Sequence, residues 1–218
     1  SIRASHALGD DDAPVASAYF KKSMIWGFFV SLALSVLLVV CGDAMAQFLG
    51  GGKDEAIIVA GGDYLRGFAF SGIPMTLILV LTGFTRIDGS KNIPAVSIVL
   101  ISIVDLALDF AFAPIWGIFG LAMASTIAYF IGFFPFIWYF LKPNRVLRMS
   151  LAAGKSVSLL AIAKTGFPLA FSRACSMANI TVLGILCFSL MGENGLLIVN
   201  VRSQGLNIAL AFVYAFAQ

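Results

Sequence analysis

The stretch SIVDLALDFAFAP, residues 102–114, places Asp105 and Asp109 four residues apart in an otherwise apolar run. On a helix that spacing is about 6 Å of rise along one face, so both carboxyls point the same way. A charged acid at mid-membrane costs roughly 2.5 to 3.5 kcal/mol, and two like charges so close repel further. At least one is therefore expected to be protonated at rest. The pair is expected to titrate as a unit and to take up a proton or a small cation such as sodium. The bland alternative is a pair of structural polar groups satisfied by neighbouring helices, but an ionisable group inside a span is a functional candidate by default.

Other polar or helix-breaking residues can share a cavity with the pair: Tyr64, Pro74, Thr76, Thr82, Ser102, Ser125, Thr126, Asn179, Asn200 and Gln204. Each is a weak signal alone, because Ser and Thr in membrane helices mostly bond back to their own backbone or to an adjacent helix. Pro74 and Pro168 can kink their helices. Arg173, a few residues into a span, reads as snorkelling to the headgroups. His6 has no second metal ligand nearby, so no metal site is expected. Cys41, Cys175 and Cys187 lie in apolar runs and read as small buried hydrophobes. There is no Walker loop and no HExxH, which leaves ATP-driven transport and zinc proteolysis unsupported.

These residues need helices to position them. Of 218 residues 60% are apolar and 11% charged, with a mean hydropathy of +0.98, outside the range of soluble domains. The expected class is an all-α integral membrane protein, a polytopic transmembrane helix bundle, since open strands leave backbone groups unsatisfied in lipid. Six spans are expected: Met24 to Gly42, Gly67 to Thr85, Ile93 to Ala113, Ile118 to Leu141, Thr165 to Leu190 and Leu196 to Gln218.

Ahead of the first span, Asp10 to Asp12 are expected to cap a short surface helix that stops at Lys21 and Lys22. GGGKDEA from Gly50 reads as a flexible loop, the Asp88–Gly89 segment as a tight turn with Pro94 opening the next helix, and APIWG as a short hairpin. Residues 142–164 read as a basic linker between two lobes, 1–141 and 165–218. Ten lysines and arginines fall on one side of the spans, while only Lys53 and Arg66 fall on the other. The basic loops are therefore expected in the cytoplasm, and the protein in a plasma or bacterial inner membrane. With no cleavable leader and an apolar run ending at Gln218, the chain reads as a fragment.

Residues 63–132 resemble the multidrug and toxic compound extrusion (MATE) transporters. The resemblance rests on Tyr64 to Arg66, Gly72 and Pro74, Arg86 and Gly89, Asp105 and Asp109, Gly117 and Gly120, and Thr126. It implies twelve helices in two pseudo-symmetric six-helix lobes around an alternating cavity, of which this chain holds the third to the eighth. It also implies that Tyr64, Asp109 and Thr126 belong to a cation-coupling site in the first lobe. Asp105 departs from the pattern, standing where the family has an asparagine.

The function expected is secondary active antiport. Amphipathic, often cationic organic compounds leave in exchange for protons or sodium, with Asp105, Asp109, Tyr64 and Thr126 coupling the cation and Pro74, Ser102, Asn179, Asn200 and Gln204 lining the cavity. No cofactor beyond H+ or Na+ is implied. Small organic molecules and membrane lipids are the expected partners, nucleic acid is not, and a monomer is expected. A lipid-linked oligosaccharide flippase of the same superfamily is the alternative, for which more basic cavity residues than Arg173 and Arg202 are wanted. A membrane enzyme transferring phosphoalcohols from CDP-linked lipids fits less well. Asn92 and Ile93 stand where its motif needs Ala-Arg, and Thr85 where it needs an earlier Asp. Catalysis is therefore not expected.

Overall fold

The computed structural model describes residues 2–10, 12–48, 55–142, 147, 158–192, 195 and 197–206. Among them there are helices and turns and no strand, in the order α1 (Ile2–Gly9), α2 (Ala13–Ala46), α3 (Glu55–Ala69), α4 (Gly72–Ile87), α5 (Asn92–Leu141) and α6 (Leu159–Met191). Residues 197–206 are also helical. The chain is an all-α membrane bundle, with α2, α5 and α6 each apolar and long enough to cross a bilayer, and α3 with α4 together forming a bent fourth candidate. Residues 1–162 form one compact unit and 163–218 another.

Asp12 caps α2, accepting from the Val15 N–H at 3.2 Å, but no separate surface helix stops at Lys21 and Lys22. α2 runs through both lysines to Ala46. Long lysine stems can lie along a helix with their ammonium groups at the headgroups, so a Lys-Lys pair need not end one. The 34-residue helix is about 50 Å long, which leaves its first turns outside the hydrocarbon. There Ala16 and Phe20 join Ala4 and Ala7 of α1, Phe84 of α4, Phe136 of α5 and Leu147 in one buried cluster. Phe20 lies 5.0 Å from the Phe84 ring and 4.8 Å from that of Phe140.

The span expected from Gly67 to Thr85 is broken in two. α3 ends at Ala69, α4 starts at Gly72, and the axes bend by 50° between them. Pro74 stands in the first turn of α4, where its missing N–H costs nothing. The helix also starts earlier than expected, at Glu55. Asp63 and Arg66 lower the hydropathy of this stretch, yet both are partnered: Arg66 donates to Asp43 of α2 at 2.6 Å and to Asp63 at 3.2 Å.

α5 spans 50 residues but is two arms folded on each other. Gly117, at φ 57° and ψ −133°, breaks the helix, a conformation that only glycine adopts without strain. Ser97 Oγ donates to the Gly132 carbonyl at 2.6 Å, so residues 35 apart in sequence touch across the hairpin. Gly132 must be small here, because a Cβ would fall on the Ile101 side chain. The helices expected over 93–113 and 118–141 and the short hairpin at Gly117 are therefore present as the two arms of α5.

The interior is polar in a way suited to lipid. Ser31, Ser35, Ser71, Thr85, Ser97 and Thr126 are buried, and each donates to a backbone carbonyl. Phe110 at 76% exposed and Ile115 at 69% lie outside. Cys41 and Cys175 are exposed rather than buried, with Cys187 intermediate, and all three are free thiols. The Gly50 loop through Asp54, most of the 142–164 linker, Asp11 and the sixth span beyond Leu206 lie outside the described residues.

Candidate functional site

The site is assembled in residues 1–162 where α3 crosses α5. Close approach is possible because Gly67 faces the second arm: a Cβ there would come within 2.8 Å of Ala122 Cβ and 3.1 Å of the Phe119 ring. Thr126, one turn beyond Ala122, is buried and donates its Oγ1 proton to the Gly67 carbonyl at 2.9 Å. The bond pins α3 onto α5 and leaves the hydroxyl lone pairs as acceptors.

Tyr64 lies one turn before Phe68 on α3, its ring stacked on Phe68 at 5.9 Å, while Phe68 meets Tyr129 edge-on at 6.5 Å. Tyr64 is within electrostatic reach of Asp105, Asp109 and Tyr129. Asp109 is likewise within reach of Asp105. Three of the four expected coupling residues therefore share one electrostatic neighbourhood, and the fourth, Thr126, fastens the helix that carries Tyr64. The carboxylates are partly buried, and Oδ1 of Asp105 is buried with no hydrogen-bond partner. An unpaired carboxylate oxygen away from water is costly, and a proton or cation removes that cost. No cluster of three or more His, Cys, Asp or Glu able to hold a metal ion occurs among the described residues.

Tyr129 was not among the sequence candidates. The signal was its spacing, since Thr126 and Tyr129 are one turn apart on the second arm and look toward α3 together. The weaker cavity candidates do not gather here. Pro74 is fully buried in α4, and Ser102 is exposed and bonded to its own helix through the Ile98 carbonyl at 3.0 Å. Asn179 belongs to residues 163–218, where a groove of about 660 Å³ between α6 and residues 197–206 is lined by Ser172, Ser176, Asn179, Arg202 and Ser203 among others. Asn200 and Gln204 are exposed and outside that lining, as is Arg173.

Three solved structures share the fold. An inward-facing multidrug resistance MATE family transporter of the MOP superfamily superposes with a TM-score of 0.78 at 19% identity, over 88% of this chain and 44% of its own. A MOP superfamily transporter from Pyrococcus furiosus, described as having a binding pocket of reverse polarity that suggests a different function, gives 0.77 at 20% identity over 95% of this chain and 46% of its own. A further MATE crystal structure gives 0.72 at 20% identity, over 90% and 45%. The chain thus spans slightly less than half the length of these transporters. No curated protein matches it in sequence. The family model described as "Lipid II flippase MurJ" matches residues 3–178. The chain belongs to that family, and its fold is that of the MATE-type transporters of the MOP superfamily.

Proposed function

We propose that the protein is a secondary active transporter in which a proton or sodium ion at Asp105 and Asp109 drives movement of a lipid-linked, anionic cargo between leaflets. The observation that carries the coupling is the buried, unpartnered Oδ1 of Asp105 beside Asp109. Loading a cation there relieves a buried charge, and a site that fits its ion better in one conformation shifts the population toward that conformation. Tyr64 supplies a hydroxyl to the same ion, with Thr126 and Tyr129 holding the helices together around it. The basic segments at Arg86–Lys91 and after Leu141 face the cytoplasm of a plasma or bacterial inner membrane.

The family match supports a lipid-linked cargo. Arg202 supports an anionic one, since it lines a groove with Ser and Asn donors and makes no ion pair with a carboxylate among the described residues. Export of amphipathic organic cations is the second reading, favoured by the fold shared with MATE transporters. The full-length protein in liposomes separates the two. A fluorescent lipid-linked diphosphosaccharide should become accessible on the far leaflet under an imposed proton or sodium gradient, and Arg202→Gln should slow it. Gradient-driven accumulation of a fluorescent organic cation, with no movement of the lipid, overturns the first reading in favour of the second.

A further inference from the structure

A second polar cavity, of about 530 Å³, lies at the end of the bundle where the α4–α5 turn meets the close of α5. It lies well outside the coupling site, and its reading does not depend on the proposed cargo. Its lining holds Lys91, Asn92 and Ile93 from the turn and Trp138, Tyr139 and Lys142 from the second arm. The floor is fixed: Asp88 accepts from the Tyr139 hydroxyl at 2.9 Å and from the Leu147 N–H at 3.0 Å. Both oxygens of the one acid in the lining are thereby engaged.

The rest of the lining is built of donors. Lys91 is the N-cap of α5 and gives it no side-chain cap, and Pro94 has no N–H. The amides of Asn92 and Ile93 are thus the first-turn donors left at the cavity, with the positive end of the helix behind them. Lys142 Nζ lies 3.5 Å from the centre of the Trp138 ring. Neither lysine is within ion-pair distance of a carboxylate among the described residues. Trp138 is 62% exposed and the adjoining Leu141 77%, an apolar apron at the end of a membrane-crossing arm, where Trp and Lys mark the headgroup level.

We infer that this cavity binds the phosphate of an anionic phospholipid headgroup from the surrounding leaflet, with the acyl chains lying along Trp138 and Leu141. Lys91 and Lys142 grip the phosphate from opposite ends of the α5 hairpin, and the Asn92 and Ile93 amides meet it from below. The bound lipid ties the α4–α5 turn to the close of the second arm and clamps the hairpin shut.

The test uses full-length protein in nanodiscs, comparing phosphatidylglycerol with phosphatidylcholine. Phosphatidylglycerol should raise the thermal midpoint of the wild type, and its affinity should fall roughly tenfold or more in Lys91→Gln/Lys142→Gln, at about 1 kcal/mol for each lysine near an anionic surface. Lys21→Gln/Lys164→Gln removes the same charge elsewhere and should keep the wild-type response. Equal midpoints of all three proteins in phosphatidylcholine establish that the variants fold. An equal loss in both double variants, no loss in either, or an inorganic phosphate response matching that of the lipid each overturns the proposal.

Discussion

At the scale of single residues the proposed coupling site is a matter of hydrogen-bond supply. Asp105 brings a carboxylate where an asparagine would bring a neutral amide of the same shape, and its Oδ1 finds no donor. Asp105→Asn should therefore raise the thermal midpoint of the full-length protein in detergent while lowering the number of cations moved per transport cycle; an unchanged coupling ratio counts against a role for Asp105. Thr126→Val removes the bond to the Gly67 carbonyl with little change of shape and should cost about 1 kcal/mol of stability, read by thermal or denaturant unfolding. The acid pair stands out in the sequence because two carboxyls are costly in an apolar run whatever their role. Tyr129 does not, because an aromatic in a membrane helix is ordinary, and only its placement across from Phe68 and Tyr64 marks it out.

At the scale of elements two glycines of α5 shape the hairpin. Gly117 sits at φ 57°, so Gly117→Ala should destabilise by roughly 1–3 kcal/mol through backbone strain, with nothing nearby for the methyl to touch. Gly132→Ala should cost a similar amount, about 1–3 kcal/mol, by overpacking against Ile101. Combining it with Ile101→Ala should recover at least about 0.5 kcal/mol relative to the sum of the singles, as expected for residues in contact. Unfolding curves of the four proteins measure that coupling.

Helix existence was readable from apolar runs, and the hairpin from a Pro-x-x-Gly break. The start of α3 was not, because Glu55 and Ala56 close the glycine-rich stretch that reads as loop, and Asp63, Arg66 and two adjacent glycines kept residues 57–66 out of the expected span. Arg66 is accommodated by Asp43 of α2 and Asp63 by Arg66, and Gly62 must lack a side chain because a Cβ would meet the Asp43 carboxylate. The continuation of α2 through Lys21 and Lys22 was missed for a related reason, since charge near a membrane surface says where a helix meets headgroups and not where it ends.

At the scale of the whole molecule the chain covers 44–46% of the transporters whose fold it shares, and its exposed surface carries Val40, Phe110, Leu141 and Leu190, each at least 74% exposed. Such faces suit lipid tails or packed helices. Class and the MATE-type fold were legible in the sequence because hydropathy and the order of its motifs are properties of the chain alone. The proposed cargo was not, since it depends on which groups line a cavity, and of Asn179, Asn200 and Gln204 the groove between α6 and residues 197–206 takes Asn179 into its lining.

Asp105 and Asp109 are proposed to convert a cation gradient into movement of cargo. Transport by full-length wild type and by Asp105→Asn/Asp109→Asn, reconstituted at equal density in liposomes with and without an imposed proton or sodium gradient, tests it most directly. The expected result is gradient-accelerated transport in the wild type and, in the variant, a rate the gradient does not change. Full gradient-driven transport by the variant would contradict it.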